Sequence, residues 1–296
     1  MSRLYLIDAS CFIFRAYYSV SDQVRDARGE PANALLGFGL FLCELLERRN
    51  PGHIAVAFDE SLRSSFRNTL YPDYKAHRPE APSDLASQFR RCRDFAAALG
   101  LAHFGSVTHE ADDLIGTLAT RMRDKGFSAV YVSADKDLAQ LMGEDDRLWD
   151  PSRRRWLDGA GVYAQMGVHP RQVADFLGLA GDAVDNIPGV PGIGTKTAAR
   201  LLAHCDNLEA LYSELGVVTR MGLRGAMRVR RLLEEHEEQA WLSRELATID
   251  CEAPLSFAPT ELAWRGACAE ALEALELPPI LLRRAMRLVP VYDLEA

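Results

Sequence analysis

Ile54-Ala55-Val56-Ala57-Phe58-Asp59 is an uninterrupted apolar run closed by a carboxylate. The chain repeats the design in Leu4-Tyr5-Leu6-Ile7-Asp8, and again in Ala129-Val130-Tyr131-Val132 with Asp135 soon after. Short apolar runs separated by longer amphipathic segments read as strands buried on both faces and alternating with helices. This alternation predicts an α/β fold, a central, mostly parallel sheet flanked by helices. Open sheets of this kind bind ligands beyond the carboxyl ends of their strands, so Asp8, Asp59 and Asp135 fall where a site is expected.

Working outward, the strand pattern fades after about residue 164 and gives way to helical periodicity broken by Pro188-Gly-Val-Pro-Gly-Ile-Gly194. We therefore expect a catalytic domain over residues 1–163 and a smaller helical domain over 164–296. The 296 residues suffice for such a core. The four apolar residues after Met1-Ser2-Arg3 are too few for a signal peptide, and no stretch reaches the roughly 18 uncharged residues of a membrane span. Six dispersed cysteines without a Cys-x-x-Cys pair fit reduced thiols, so a cytoplasmic protein is expected.

Acidic side chains gather in three further segments. His109-Glu110-Ala111-Asp112-Asp113 places Glu110 and Asp113 on one helix face. Ser133-Ala-Asp-Lys-Asp137 brings Asp135 and Asp137 to one side of a strand end, and Asp182 and Asp185 stand one helical turn apart before the Gly/Pro cluster. Each segment alone has an ordinary reading as a helix cap or a solvated turn. Together the nine carboxylates repel one another unless a cation sits among them. Oxygen ligands without His or Cys select Mg²⁺ or Mn²⁺, and two such ions suit phosphodiester hydrolysis.

A net charge of −8 argues against a nucleic-acid partner, but setting those nine carboxylates aside leaves the remainder close to neutral. Between Leu62 and Arg93 seven basic residues (Arg63, Arg67, Lys75, Arg78, Arg90, Arg91, Arg93) face Asp73, Glu80 and Asp84, interleaved with Phe66, Tyr71 and Tyr74, the composition of a single-strand-binding surface. Gly189, Gly192 and Gly194 allow a tight hairpin, Thr195 can cap the next helix, and Lys196 and Arg200 add charge at a helix start suited to phosphate. Arg220, Arg224, Arg228, Arg230 and Arg231 form a further basic run that either tracks duplex backbone or lines a solvated helix.

In order and spacing, Leu6-Ile-Asp8, Phe58-Asp59, Phe66-Arg67, Tyr74-Lys-Ala-His-Arg-Pro79, Glu110-Ala-Asp-Asp113, Ala134-Asp-Lys-Asp-Leu-Ala-Gln-Leu141 and Gly181 to Ala198 resemble the bacterial 5′–3′ exonuclease and flap endonuclease family, which includes the N-terminal nuclease domain of DNA polymerase I. The resemblance covers roughly the first 250 positions and implies a PIN-like 5′ nuclease core with a helical arch near 62–95 and a C-terminal helix-hairpin-helix. It implies that Asp8, Asp59, Glu110 and Asp112 line a first metal site, with Asp113, Asp135, Asp137, Asp182 and Asp185 around a second. Arg15 and Tyr17 would position the scissile phosphate, Lys75 and Arg78 would gate the 5′ strand with Arg67 and Tyr74 beside them, and a K⁺ ion would sit at the hairpin. Two departures touch no ligand: Ala9 replaces the usual Gly, and Phe14 a common Tyr.

The expected activity is metal-dependent cleavage of branched or 5′-ended duplex DNA, with RNA–DNA hybrid as a second substrate form, by a stand-alone monomer serving replication and repair. A PIN-type ribonuclease and a non-catalytic junction-binding protein are the alternatives.

Overall fold

Strand β1 (Ser2–Asp8) is apolar from Leu4 to Ile7 and buried along that length because it is paired on both sides. It leads into α1 (Ala9–Ser19), α2 (Asn33–Arg49) and β2 (His53–Asp59). Next come α3 (Phe66–Leu70), α4 (Ser83–Ala98), β3 (Ala102–Ser106), α5 (Ala111–Arg123) and β4 (Phe127–Val132). A short hairpin, β5 (Arg147–Asp150) and β6 (Arg155–Leu157), precedes α6 (Gly159–Met166), α7 (Val173–Ala180), α8 (Thr195–Cys205) and α9 (Leu208–Ser213). The chain closes with α10 (Ala226–Glu235), α11 (Glu237–Ala247), α12 (Ala269–Ala274) and α13 (Pro279–Ala285). This computed structural model describes residues 2–60, 64–79 and 81–290. Arg63 and Glu80 of the basic segment lie outside the described residues. No helix among the described residues is long and apolar enough to cross a membrane.

Two compact units emerge from the packing of the chain. The first comprises Met1–Glu60, Pro79–Ala134 and Cys251–Ala296; the second comprises Ser61–Arg78 and Asp135–Asp250. Within the first, four strands run parallel in the order β3-β2-β1-β4. Connections leave β1 toward β2 on one side and return beside it as β4 on the other, which makes the carboxyl end of β1 the switch point of the sheet. Helix α5 packs across all four strands, while α2 packs on α1, α4 and α13. The tail returns to this unit: Trp264 Nε1 donates to the Leu99 carbonyl at 2.9 Å, and Leu281 is fully buried.

In the second unit α7 packs between α8 and α11. Arg67, expected at nucleic acid, is instead buried: its Nε donates to Leu246 O at 2.9 Å and its Nη2 to Thr248 O at 2.7 Å. Gln140 Nε2 donates to Ala247 O at 3.0 Å, so two side chains satisfy the carbonyls that end α11. Of the segment 62–95, the part up to Arg78 belongs to this unit and α4 to the other. Leu85, Gln88, Cys92 and Phe95 of α4 are buried, the mark of a core helix.

Gly189 turns the chain between α7 and α8 with φ +61° and is buried; a Cβ there would stand 2.2 Å from Gly181 N and 2.6 Å from Ala180 C. Gly194 has open space around it. Gly189→Ala is therefore expected to destabilise the protein by about 3 kcal/mol, from overpacking plus the left-handed backbone. That corresponds to a thermal midpoint lower by roughly 6–12 °C. Gly194→Ala should change it by less than about 2 °C, and differential scanning fluorimetry reads both.

Candidate active site

Asp8 is the last residue of β1 and the N-cap of α1. Its carboxylate accepts from Cys11 N at 3.3 Å and from Ser133 Oγ, at the end of β4, at 2.8 Å. Asp59 ends the neighbouring strand and accepts from Ser10 Oγ at 2.5 Å and from Ala111 N at 2.8 Å. The second of these donors adjoins Glu110, the N-cap of α5, which forms a reciprocal capping box with Asp113; Glu110 N donates to Asp113 Oδ2 at 2.9 Å. Asp113 is fully buried and Asp112 half-buried in the same turn. Asp8, Asp59, Glu110, Asp112 and Asp113 thus belong to one unit and gather at the carboxyl edge of its sheet. Both donors to Asp59 are neutral, so they orient its charge without cancelling it. Sequence reasoning passed over Ser10 and Ser133; the available signal was a hydroxyl residue just beyond each of two strand ends.

The remaining carboxylates belong to the second unit and are held differently. Lys136 Nζ lies 3.1 Å from Asp137 Oδ1 and 3.3 Å from Asp182 Oδ2. Asp185 receives Arg78 Nη2 at 2.5 Å, Lys75 Nζ at 3.4 Å and the Tyr74 hydroxyl at 3.3 Å, so Tyr74, expected at nucleic acid, is buried. The chain's own cations occupy these oxygens. Among the described residues no three carboxylate, imidazole or thiolate side chains stand close enough to hold a metal as placed.

Burial, then the charge of Asp135, pushes the Asp137 carboxyl up to about 7. Asp135 keeps access to solvent, yet the protein packed around it, and then the charge of Asp185, raise its carboxyl as well. Burial works against the charge of Lys136, but Asp137 and Asp182 outweigh it and raise the pKa of the ammonium.

Asp182 and Asp185 are not a helical turn apart. Helix α7 stops at Ala180, Gly181 takes φ +73°, and Asp182 and Ile187 exchange backbone hydrogen bonds of 2.9 and 2.8 Å around a tight loop. In the hairpin that follows, Gly194 rather than Thr195 is the N-cap of α8. Gly189 is interior, its N–H donating to Ser243 Oγ at 3.0 Å. Gly192, Gly194, Thr195, Lys196 and Arg200 are exposed. In the first unit Arg15 is exposed on α1, while the Tyr17 hydroxyl donates to Asp84 at 3.0 Å.

A parallel sheet with carboxylates beyond its strand ends, joined to a helix-hairpin-helix unit, defines a nuclease-type α/β protein. The model of the 5′-3′ exonuclease N-terminal resolvase-like domain matches residues 3–167, that of the 5′-3′ exonuclease C-terminal SAM fold matches residues 168–270, and the chain belongs to the 5′-3′ exonuclease family. It is 36% identical over 278 residues to DNA polymerase I of Streptococcus pneumoniae, covering 91% of this chain and 31% of that protein. With DNA polymerase I of Pseudomonas aeruginosa it shares 39% over 253 residues, 85% of this chain and 28% of the relative. The chain thus spans less than a third of the length of these curated relatives. Its fold is that of the T5 D15 protein co-crystallized with metal ions (TM-score 0.67, 18% identity, 96% of this chain and 97% of that one). It is likewise that of the catalytic core of Rad2 in complex with DNA substrate (TM-score 0.62, 12% identity, 98% and 92%). The expected fold class and family are borne out.

Because the folded-state pKa of Asp137 lies above its unfolded value of 3.8, the native state binds the extra proton. Stability from this site is greatest below pH 4 and is lost as pH rises toward about 7. In EDTA, Asp137→Asn should match the wild-type thermal midpoint at pH 4 and exceed it at pH 8. Each kcal/mol relieved raises the midpoint by roughly 2–4 °C. An Asn variant less stable than wild type at pH 8 would show that the Lys136 ion pair outweighs the burial penalty.

Proposed function

We propose that this chain hydrolyses DNA phosphodiesters at 5′ ends and 5′ flaps with a divalent cation held by Asp8, Asp59, Glu110 and Asp112. The observation that carries the reading is the Asp8–Asp59 pair, at the ends of adjacent parallel strands and beside the helix start of Glu110, with Asp59 held by neutral donors alone. An all-oxygen set of this kind fits Mg²⁺ or Mn²⁺. Such an ion, held by these four residues, would supply activation of a water and stabilisation of charge developing on the phosphate.

The other steps belong to the chain. Ser10 and Ser133 hold Asp59 and Asp8 in position, and Asp113 locks Glu110 through the capping box. Arg15, exposed on α1, supplies a cation for the phosphate, and Tyr17 is steadied by Asp84. The hairpin with Lys196 and Arg200 takes duplex backbone, so specificity comes from DNA shape rather than base sequence. As placed, Asp137, Asp182 and Asp185 do not offer a free second metal site, because Lys75, Arg78 and Lys136 lie on them.

A 5′-labelled flap duplex tests the reading. Wild type with Mg²⁺ should cut near the junction and EDTA should stop it. Asp59→Asn, which preserves the side-chain shape, should lose activity by about 10²–10³-fold, the scale of several kcal/mol of charge stabilisation. Cutting that survives EDTA, or Asp59→Asn at wild-type rate, would sink the proposal.

A further inference from the structure

Gly192 stands at the exposed turn between α7 and α8 with φ +83°, and the space its Cβ would occupy is bounded by Leu232 Cδ1 at 3.2 Å and Arg228 Nη2 at 3.9 Å. Residues 228 and 232 lie one turn apart on the same face of α10, so this helix is seated against the turn and sets a guanidinium beside it.

The basic run around α10 separates into two kinds of arginine. Arg220 is paired with Glu214, Arg230 with Glu234 at 2.7 Å and Arg231 with Glu235 at 3.4 Å. Arg224 and Arg228, both exposed, have no acidic partner among the described residues. Neither α8 nor α10 carries an acid in its first turn, and Lys196 lies exposed in that of α8. Cations near a helix start oppose the helix dipole, and here no carboxylate offsets them. Positive charge has been left unbalanced at Arg228 beside the turn and at Arg224 just before α10, and a phosphodiester backbone is the polyanion that complements it.

We infer that Arg224 and Arg228 form a second phosphate grip, contacting duplex DNA next to the phosphate taken by the Gly192–Lys196 turn. This rests on the reading of that turn as a duplex-binding element. Arg220, Arg230 and Arg231 take no part, since their charge is already answered. The grip is sequence-independent and fixes the duplex on this unit.

Dissociation constants for a blunt 5′-labelled duplex, measured in EDTA across a KCl series, test the assignment. Each lost phosphate contact lowers the slope of log affinity against log salt by about 0.9. Arg224→Gln and Arg228→Gln should each lower it by about 0.9 and the double variant by about 1.8, whereas Arg231→Gln should leave it unchanged. All are surface changes, and an unchanged thermal midpoint will confirm intact folding. An unaltered slope in Arg228→Gln, or an equal fall in Arg231→Gln, overturns the inference. A wild-type protein whose duplex affinity ignores salt would remove the duplex reading itself, and the grip with it.

Discussion

Strand β1 is hydrogen-bonded on both sides, to β2 and to β4, and the site depends on that central place. Such a strand has no wet face, so its sequence must stay apolar until it ends, and a carboxylate is tolerated only where the ladder stops. Asp8 and Asp59 occupy those terminal positions. Ser133, at the end of β4, reaches Asp8, and Ser10, in the first turn of α1, reaches Asp59. Parallel pairing thus fixes the height of each acid, and hydroxyl donors fix its orientation. Neither task consumes its charge.

The four carboxylates of the second unit meet the same electrostatic problem with a different solution. Lys75, Arg78 and Lys136 lie on the oxygens of Asp137, Asp182 and Asp185 and offset part of their charge. The compensation falls short around Asp135 and Asp137, where the carboxyls are still pushed toward the protonated form. Removing one member of such a cluster leaves the others buried and unbalanced, which ties these residues together as a unit. In the first unit Asp59 is oriented by two neutral donors, whereas in the second Lys75, Arg78 and Lys136 lie on carboxylate oxygens.

How much of this was legible depended on range. β1, β2 and β4 could be read because continuous apolar runs mark buried strands whatever surrounds them. β3, Ala102-His-Phe-Gly-Ser106, is half-buried throughout and carries a glycine and a histidine, so no run announces it. The part played by the tail rests on contacts such as Trp264 with Leu99, which local pattern cannot reveal. Arg67 looked like a surface cation because its charge is visible in sequence, while the carbonyls of Leu246 and Thr248 that claim it are distant along the chain. The loop at Asp182 was readable in principle, since Gly181 stops α7, but two acids three residues apart imitate a helical pair. Nine acids could be recognised; which of them are answered by cations could not, because pairing is a property of the folded units.

The same distinction explains how a protein of net charge −8 can present positive charge locally. Charges separated by more than about 8–10 Å are largely screened at physiological salt, so a phosphate responds to its immediate neighbours rather than to the net charge of −8. Within that distance an arginine already joined to a glutamate offers little net attraction, whereas one without a partner offers all of its charge. Counting basic residues therefore overstates the binding surface. What matters is where the fold has left a cation unanswered, and within the second unit the hairpin turn with the start of α10 beside it is one such place.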